Sequence, residues 1–528
     1  MSVRNAIVLL VALSALTFLA ACGSGNSVTK PTPPPTGGFS NSNLNGTYVF
    51  SASGSDASTG DFLTIVGAFA ANGSGGITGG AIDVIDPAVG VSSNQPISSG
   101  SSYSITSDGR GQAKLNANTV LGSSIGLDFV LTSSSHGLVT EFDSLGTGSG
   151  TIDLQSSTVS LSGLSYAFSL SGVGSTTSFA TAGSFTLGAS GNVTAGVEDF
   201  NNGGAATSGA IDTTSTVAAG AGTSPGTAQL VSLDGTLTFD VYAIDSTHLK
   251  FIETDLLFYS SGDAFTQGTS LPTSGTLAFT MSGFNLSNSN PLALGGLIPL
   301  GASSAVSGGG VEDFNDGGTV GQDTSFGGGF APLSGGRSVL NLTAFANGGA
   351  NDVPGTYAFA AYPFSSNGVS GVALLEIDGL GVTSGAAFLQ TTTTLAASQG
   401  YGLNLSAINL GTGSGEFEED DIAEFTTASG TYTGIVDLND EGTLTLGKAL
   451  TGAYQTGGTG RYTATTTNYF NYDIYVVNSS TYLIMETDAD QIGTGILELQ
   501  NASASPGSQP GISMLRSAVR AHAALRHK

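Results

Sequence analysis

A Glu-x-Asp triplet with a Gln fourteen positions after the Glu occurs four times along the chain: Glu141, Asp143 and Gln155; Glu253, Asp255 and Gln267; Glu376, Asp378 and Gln390; Glu486, Asp488 and Gln500. Successive Glu residues lie 112, 123 and 110 positions apart. That is the size of a small domain rather than of a solenoid unit, so each copy is long enough to enclose its own core. The chain is therefore expected to fold as four tandem copies of one unit.

Each copy opens on a segment whose apolar residues alternate: Tyr48, Phe50 and Ala52; Tyr166, Phe168 and Leu170; Leu277, Phe279 and Met281; Tyr401, Leu403 and Leu405. A period of two predicts a half-buried strand. In copies one to three the strand runs into Ser-Gly at Gly54, Gly172 and Gly283, where the chain is expected to leave the sheet. A recurring Gly-x-x-Asp (Gly80 to Asp83, Gly196 to Asp199, Gly310 to Asp313, Gly434 to Asp437) is expected at the start of a polar turn. The last hairpin of each copy is expected to turn at His136, His248, Gly371 or Thr481, which would leave both histidines exposed. With the glycine-bearing turns at Asn72 to Gly76, Ser190 to Asn192, Asp108-Gly109, Asp234-Gly235 and Gly335-Gly336, these signals predict seven or eight short antiparallel strands per copy, joined in sequence order.

The predicted class is all-β: four tandem antiparallel meanders, each an up-and-down barrel, with a two-sheet β-sandwich as the alternative. Hairpin follows hairpin without long crossovers, and closure hides strand edges; both favour the barrel. The expected copies span 43–157, 158–268, 269–392 and 393–502.

Only 10% of residues are charged and 80 of 528 are Gly, which suits short strands and tight turns. Twelve basic against 39 acidic residues give a formal charge of −27, so the repeats are expected to present acidic, polar surfaces. That sign repels nucleic-acid phosphates and anionic lipid surfaces, which removes both as partners of the repeats. The single cysteine excludes intramolecular disulfides and thiolate metal clusters.

That cysteine closes the N-terminal segment. Arg4 precedes an apolar run from Ala6 to Ala21 that is short for a bilayer's hydrocarbon core of about 30 Å and reads as a signal peptide. Its end, Leu19-Ala20-Ala21-Cys22, resembles the lipobox of bacterial lipoproteins. The resemblance implies cleavage before Cys22 and lipidation of Cys22, with 1–22 as the signal segment including the lipidated residue. Gly23, standing where an Asp would direct inner-membrane retention, implies sorting to the outer membrane or cell surface. A Pro/Gly/Ser spacer (23–42) follows, and a basic tail (503–528) carries Arg516, Arg520, Arg526 and Lys528, with a short helix expected from Ile512 to Lys528. The Tyr48–Gly54 and Tyr166–Gly172 strands and the Glu-x-Asp end are similar to the Gly- and Ser-rich tandem β-domains of exported bacterial lipoproteins, a resemblance that implies no activity.

Two residues before each repeated Glu stands an apolar residue, Val139, Phe251, Leu374 or Ile484, so strand parity turns Glu141, Glu253, Glu376 and Glu486 toward the core. There they either contact a ligand or accept hydrogen bonds that close the barrel. Asp313, Asn315, Asp316 and Gly317, like Asp437, Asn439, Asp440 and Gly442, place oxygens as a calcium loop does; they are also the residues any tight turn prefers. Gly122-Ser123-Ser124-Ile125-Gly126 matches a nucleophile-elbow string without its strand-to-helix context. No cofactor is implied. The expected function is a lipid-anchored, exported, non-catalytic envelope protein that meets the membrane through its N-terminal lipid and an envelope or extracellular ligand through its β-domains. The alternatives are a small-ligand carrier using barrel interiors and, third, a secreted hydrolase.

Overall fold

Alternating apolar residues, cut every few positions by Gly, Asn and Asp, produce strands throughout. The computed structural model describes residues 38–503 apart from 175–176, 234, 325, 344–355, 412–416 and 468. The signal segment, Cys22 and the tail from 504 onward lie outside the described residues. In the first copy β1 (Asn45–Asp56), β2 (Phe62–Asn72), β3 (Ile77–Asp86), β4 (Gly90–Ile97), β5 (Ser102–Ile105), β6 (Arg110–Leu115), β7 (Ile125–Leu131), β8 (His136–Phe142) and β9 (Gly146–Leu154) lie in the order β4-β3-β2-β1-β9-β8-β7-β6-β5. All pairs are antiparallel, and β1 pairs with β9, so the meander runs round a barrel open only between β4 and β5. Tyr103 donates to the Gly75 carbonyl at 2.9 Å and Ile77 to Ser101 at 3.1 Å, bridging that opening.

Copies two and three repeat this nine-stranded order, with first strands Ser165–Val173 and Gly275–Asn285 paired to last strands Tyr259–Thr266 and Gly381–Leu389. Copy four is a closed eight-stranded barrel, because the 16-residue strand Thr443–Gly458 pairs with both of its neighbours where the others have a gap. The expected barrel therefore forms. Three copies have nine strands rather than seven or eight, because the stretch between the third and sixth strands divides into two short strands, β4 and β5 and their equivalents, that flank the opening.

Each interior is filled by one copy's own side chains, as by Tyr48, Phe50, Phe69 and Phe129 in barrel 1 and by Tyr401, Phe425, Tyr472 and Ile484 in barrel 4. Two strand expectations fail for one reason, crowding on both faces. The opening strand does not leave the sheet at its Ser-Gly: Gly54 pairs with Leu63 and Gly148 inside the ladder. A Cβ at Gly54, Gly172 or Gly283 would stand 2.0, 1.8 and 2.0 Å from a carbonyl oxygen of the last strand, so glycine lets first and last strands approach. Nor is the opening strand half-buried throughout: in copy two, eight of the nine residues of Ser165–Val173 are buried.

The second face is covered by other barrels. A large apolar cluster draws Leu138, Ala182, Leu375 and Leu483 from four different copies, and a smaller one joins Val49 and Ile85 to Tyr242 and Ile252 between barrels 1 and 2. The residue after each repeated Gln donates its N–H to the next barrel: Ser156 to Ile244 at 2.7 Å, Gly268 to Pro363 at 2.8 Å, and Thr391 to Val477 at 2.8 Å. Asn501 donates to Thr132 at 2.7 Å, which returns the last barrel to the first. The four barrels form a closed ring.

Candidate functional site

The repeated Gln and the Gly-x-x-Asp carboxylate lie at the four seams of this ring. Each Gln leaves the last strand of its barrel and reaches the strand that precedes the Glu strand in the next one. Gln155 donates to the Ala243 carbonyl at 2.8 Å, Gln390 to Val476 at 2.7 Å, and Gln500 to Leu131 at 3.0 Å and Asp108 at 2.8 Å. Gln267 pairs with Phe364 of barrel 3, and its side chain lies against Gly336.

The Asp of Glu-x-Asp ties its own turn to a neighbouring strand. Asp143 accepts the N–H groups of Gly126 and Leu145, both at 2.8 Å; Asp378 accepts those of Ala358 and Leu380 at 2.8 and 2.9 Å. Asp255 and Asp488 bind Thr238 and Asn471 in the same way.

The Gly-x-x-Asp residues are not at the start of a turn: Asp83 lies within β3, and Asp199, Asp313 and Asp437 lie within the equivalent strands. Opposite parity to the core points them across a seam. Asp83 accepts from Tyr242, and Asp199 from Tyr362 and both prongs of Arg337. Asp313 accepts from Arg461 at 2.7 and 2.8 Å and from Tyr475 at 2.7 Å, while Asp437 receives Arg110 at 3.4 Å.

Two residues further on, an Asn amide grips the next barrel's Glu-x-Asp loop. Asn201 donates to the Glu376 and Gly381 carbonyls at 2.8 and 3.0 Å. Asn315 donates to Asp488 and Gln491, both at 2.8 Å, and Asn439 to Glu141 and Gly146 at 2.9 and 2.8 Å. Their side-chain oxygens accept the N–H of Gly204, Gly318 and Gly442 in their own turns. Of the calcium candidates, Asp313, Asn315, Asp437 and Asn439 thus face a neighbouring barrel. Asp316 accepts from Asn285 and Asn288 at 2.9 and 2.7 Å, and Asp440 ends its strand opposite Glu419 and Thr443. Among the described residues no group of three His, Cys, Asp or Glu side chains converges as a metal site.

The four repeated Glu side chains are buried on the interior face of their barrels. Glu253 accepts the Phe258 N–H at 2.9 Å and the Ser260 hydroxyl at 2.6 Å; Glu376 accepts the Thr383 N–H and hydroxyl at 3.2 and 2.8 Å. Among the described residues the carboxyl oxygens of Glu141 and Glu486 meet no donor at hydrogen-bonding geometry, although Asp143 and Asp488 lie nearby. Burial, reinforced by the neighbouring Asp, pushes Glu141, Glu376 and Glu486 well above the usual carboxylate range; burial pushes Glu253 up to about 9. Burial thus favours the protonated form of each of these side chains.

Both histidines depart from expectation. His136 is 3% and His248 9% exposed, because they begin strands that face the ring's interior rather than forming turns at its surface. His136 pairs with Asp153 at 2.6 Å and approaches Glu498 of barrel 4 at 2.8 Å, an ion pair whose angle is not that of a hydrogen bond. Burial alone would lower its pKa, but the Glu498 and Asp153 carboxylates outweigh it and push it up to about 10. His248 and Lys250 share Asp263 at 2.7 and 3.0 Å. Gly122 to Gly126 lead into β7, a strand, rather than into a helix. Most acidic residues are buried, so acidic groups crowd the seams and barrel interiors as well as the surface. One sequence signal pointed there: Gly109-Arg110, Gly336-Arg337 and Gly460-Arg461 repeat a Gly-Arg pair in a chain with only twelve basic residues.

Neither protein-family models nor curated proteins match the chain. Among solved structures, intact Ap-TbpB with its N and C lobes aligns at a TM-score of 0.17 and 9% identity, covering 69% of this chain and 83% of that one. The isotype 1 transferrin binding protein B from serogroup B Neisseria meningitidis aligns at 0.19 and 10%, covering 69% and 82%. Superpositions at this level carry no functional information, so function rests on the geometry above.

Proposed function

We propose that this chain is a lipid-anchored, exported, non-catalytic envelope protein: Cys22 holds it to the outer membrane or cell surface, and its four barrels act as one rigid ring that presents its rim to an extracellular or envelope ligand. The observation that carries this reading is the closed circuit of Gln and Asp contacts from barrel to barrel, joined at three seams by an Asn. The Gln and the Gly-x-x-Asp carboxylate repeated in every copy serve assembly, which favours a scaffold over a fourfold active site. The side-chain-filled interiors weigh against a carrier, and histidines buried in ion pairs weigh against a hydrolase. The test is fractionation of cells producing the wild-type chain or Cys22→Ala, with mass analysis of the N-terminal peptide. The wild type is expected in the membrane fraction with a lipid-bearing N-terminus at Cys22, and the variant in the soluble fraction. Equal partitioning of the two would overturn the anchor.

A further inference from the structure

We infer that the seam between barrels 4 and 1 is the opening point of the ring, closed while its buried carboxyls keep their protons and released as they ionise. The other three seams join barrels that are consecutive in the chain; this one joins the last to the first by non-covalent contacts alone. Its clasp at the repeated Asp is also looser than the one at the 3–4 seam. At the 3–4 seam Asp313 takes two prongs of Arg461 at 2.7 and 2.8 Å and the Tyr475 hydroxyl at 2.7 Å. At the 4–1 seam Val130 stands in the place of that tyrosine. Arg110 reaches Asp437 through Nη1 at 3.4 Å, while its Nε and Nη2 turn to Asp108 of its own barrel, both at 3.2 Å.

Four carboxyls surround that one guanidinium: Asp108 before β6, Asp128 on β7, Glu424 on the strand Phe417–Ala428, and Asp437 on Thr431–Asp440, with Gln112 beside Asp128. Neither oxygen of Glu424, and not Oδ2 of Asp128, meets a hydrogen-bond donor among the described residues. Along the same seam Glu418 and Asp420 accept the Ser55 and Thr147 hydroxyls, and His136 faces Glu498. A dry seam cannot hold all of these carboxyls charged against so few cations. Burial, reinforced by Asp108, pushes Glu424 up to about 8; burial and Asp437 hold Asp128 well above the usual range. The closed seam keeps protons that an open seam would release. Closure is therefore strongest below the ordinary Glu pKa of about 4.3, weakens as pH rises toward about 8 where Glu424 ionises in place, and weakens further as His136, pushed up to about 10, loses its charge beside Glu498.

Sedimentation velocity on the chain beginning at Gly23, from about pH 5 to 9.5, reads the opening directly. The wild type should lose roughly 15% of its sedimentation coefficient as a compact body becomes a string of four barrels, and recover it on return to pH 5. Glu424→Gln with Asp128→Asn, or Glu424→Gln alone if the double variant misfolds, should stay compact across the range. A wild type that sediments unchanged to pH 9.5, or a variant that opens at the wild-type midpoint, overturns the proposal. Either result leaves the Cys22 anchor untouched, because the test chain carries no lipid.

Discussion

Replacing Asn439 by Ala removes a side chain that joins the turn of barrel 4 to the Glu-x-Asp loop of barrel 1. Asn439 is fully buried; its amide donates to two carbonyls, Glu141 and Gly146, and its oxygen accepts the Gly442 N–H at 2.8 Å. Both carbonyls belong to buried residues and Gly442 is half-buried, so truncation takes this partner from two buried acceptors and from one donor at the seam's edge. Each orphaned buried group costs about 1–3 kcal/mol, which makes the expected loss about 3–5 kcal/mol after partial relaxation. That is a large share of the roughly 5–15 kcal/mol that keeps a typical domain folded. Urea unfolding followed by tyrosine fluorescence and by circular dichroism measures it. The midpoint should fall sharply, and the two probes should separate if barrels 4 and 1 lose their cooperation. Asn201→Ala, which breaks the equivalent contact at the 2–3 seam, should cost a similar amount. A loss under about 0.5 kcal/mol, the scale of an ordinary surface substitution, would refute the reasoning.

Two further predictions concern pH and backbone approach. Glu253 has a folded pKa raised to about 9, so its contribution is full below the ordinary Glu value of about 4.3 and is lost as pH rises through the folded value. The melting temperature should therefore be higher at pH 5 than at pH 9, and Glu253→Gln should flatten that slope; a melting temperature that rises with pH would contradict the protonated assignment. Gly150→Ala would place a Cβ 1.5 Å from the Ser51 carbonyl oxygen, whereas the same change at Gly79 meets nothing within 4 Å. The first should cost more than about 3 kcal/mol by overpacking and the second about 1 or less, as chemical denaturation would show; equal costs would mean that β1 and β9 do not approach as described.

The sequence disclosed one barrel better than four. Alternation in Tyr48, Phe50 and Ala52, and the parity of Glu141 with Val139, speak of a single strand's two faces, and both the barrel and the buried Glu follow from them. The ring was not legible, because a residue on the outer face reads as solvent-facing until another barrel is known to cover it. Asn315, Asn439 and the Asp residues beside them carry the chemistry of a plain turn or a calcium loop, and only the carbonyls they reach distinguish a clasp from either. His136 read as a turn residue for the same reason: its partners Asp153 and Glu498 are 17 and 362 positions away. Glycines such as Gly54 mark close backbone approach as readily as they mark a turn, and the sequence alone does not say which.

Small-angle scattering from the chain beginning at Gly23, at about pH 5.5, tests the closed ring most directly. One compact body of this length has a radius of gyration of about 23 Å, whereas four barrels strung in line would give roughly 35 Å. The account predicts a value near the first, with a distance distribution that falls smoothly to its limit. A value near the second, or a long tail in the distribution, would contradict it.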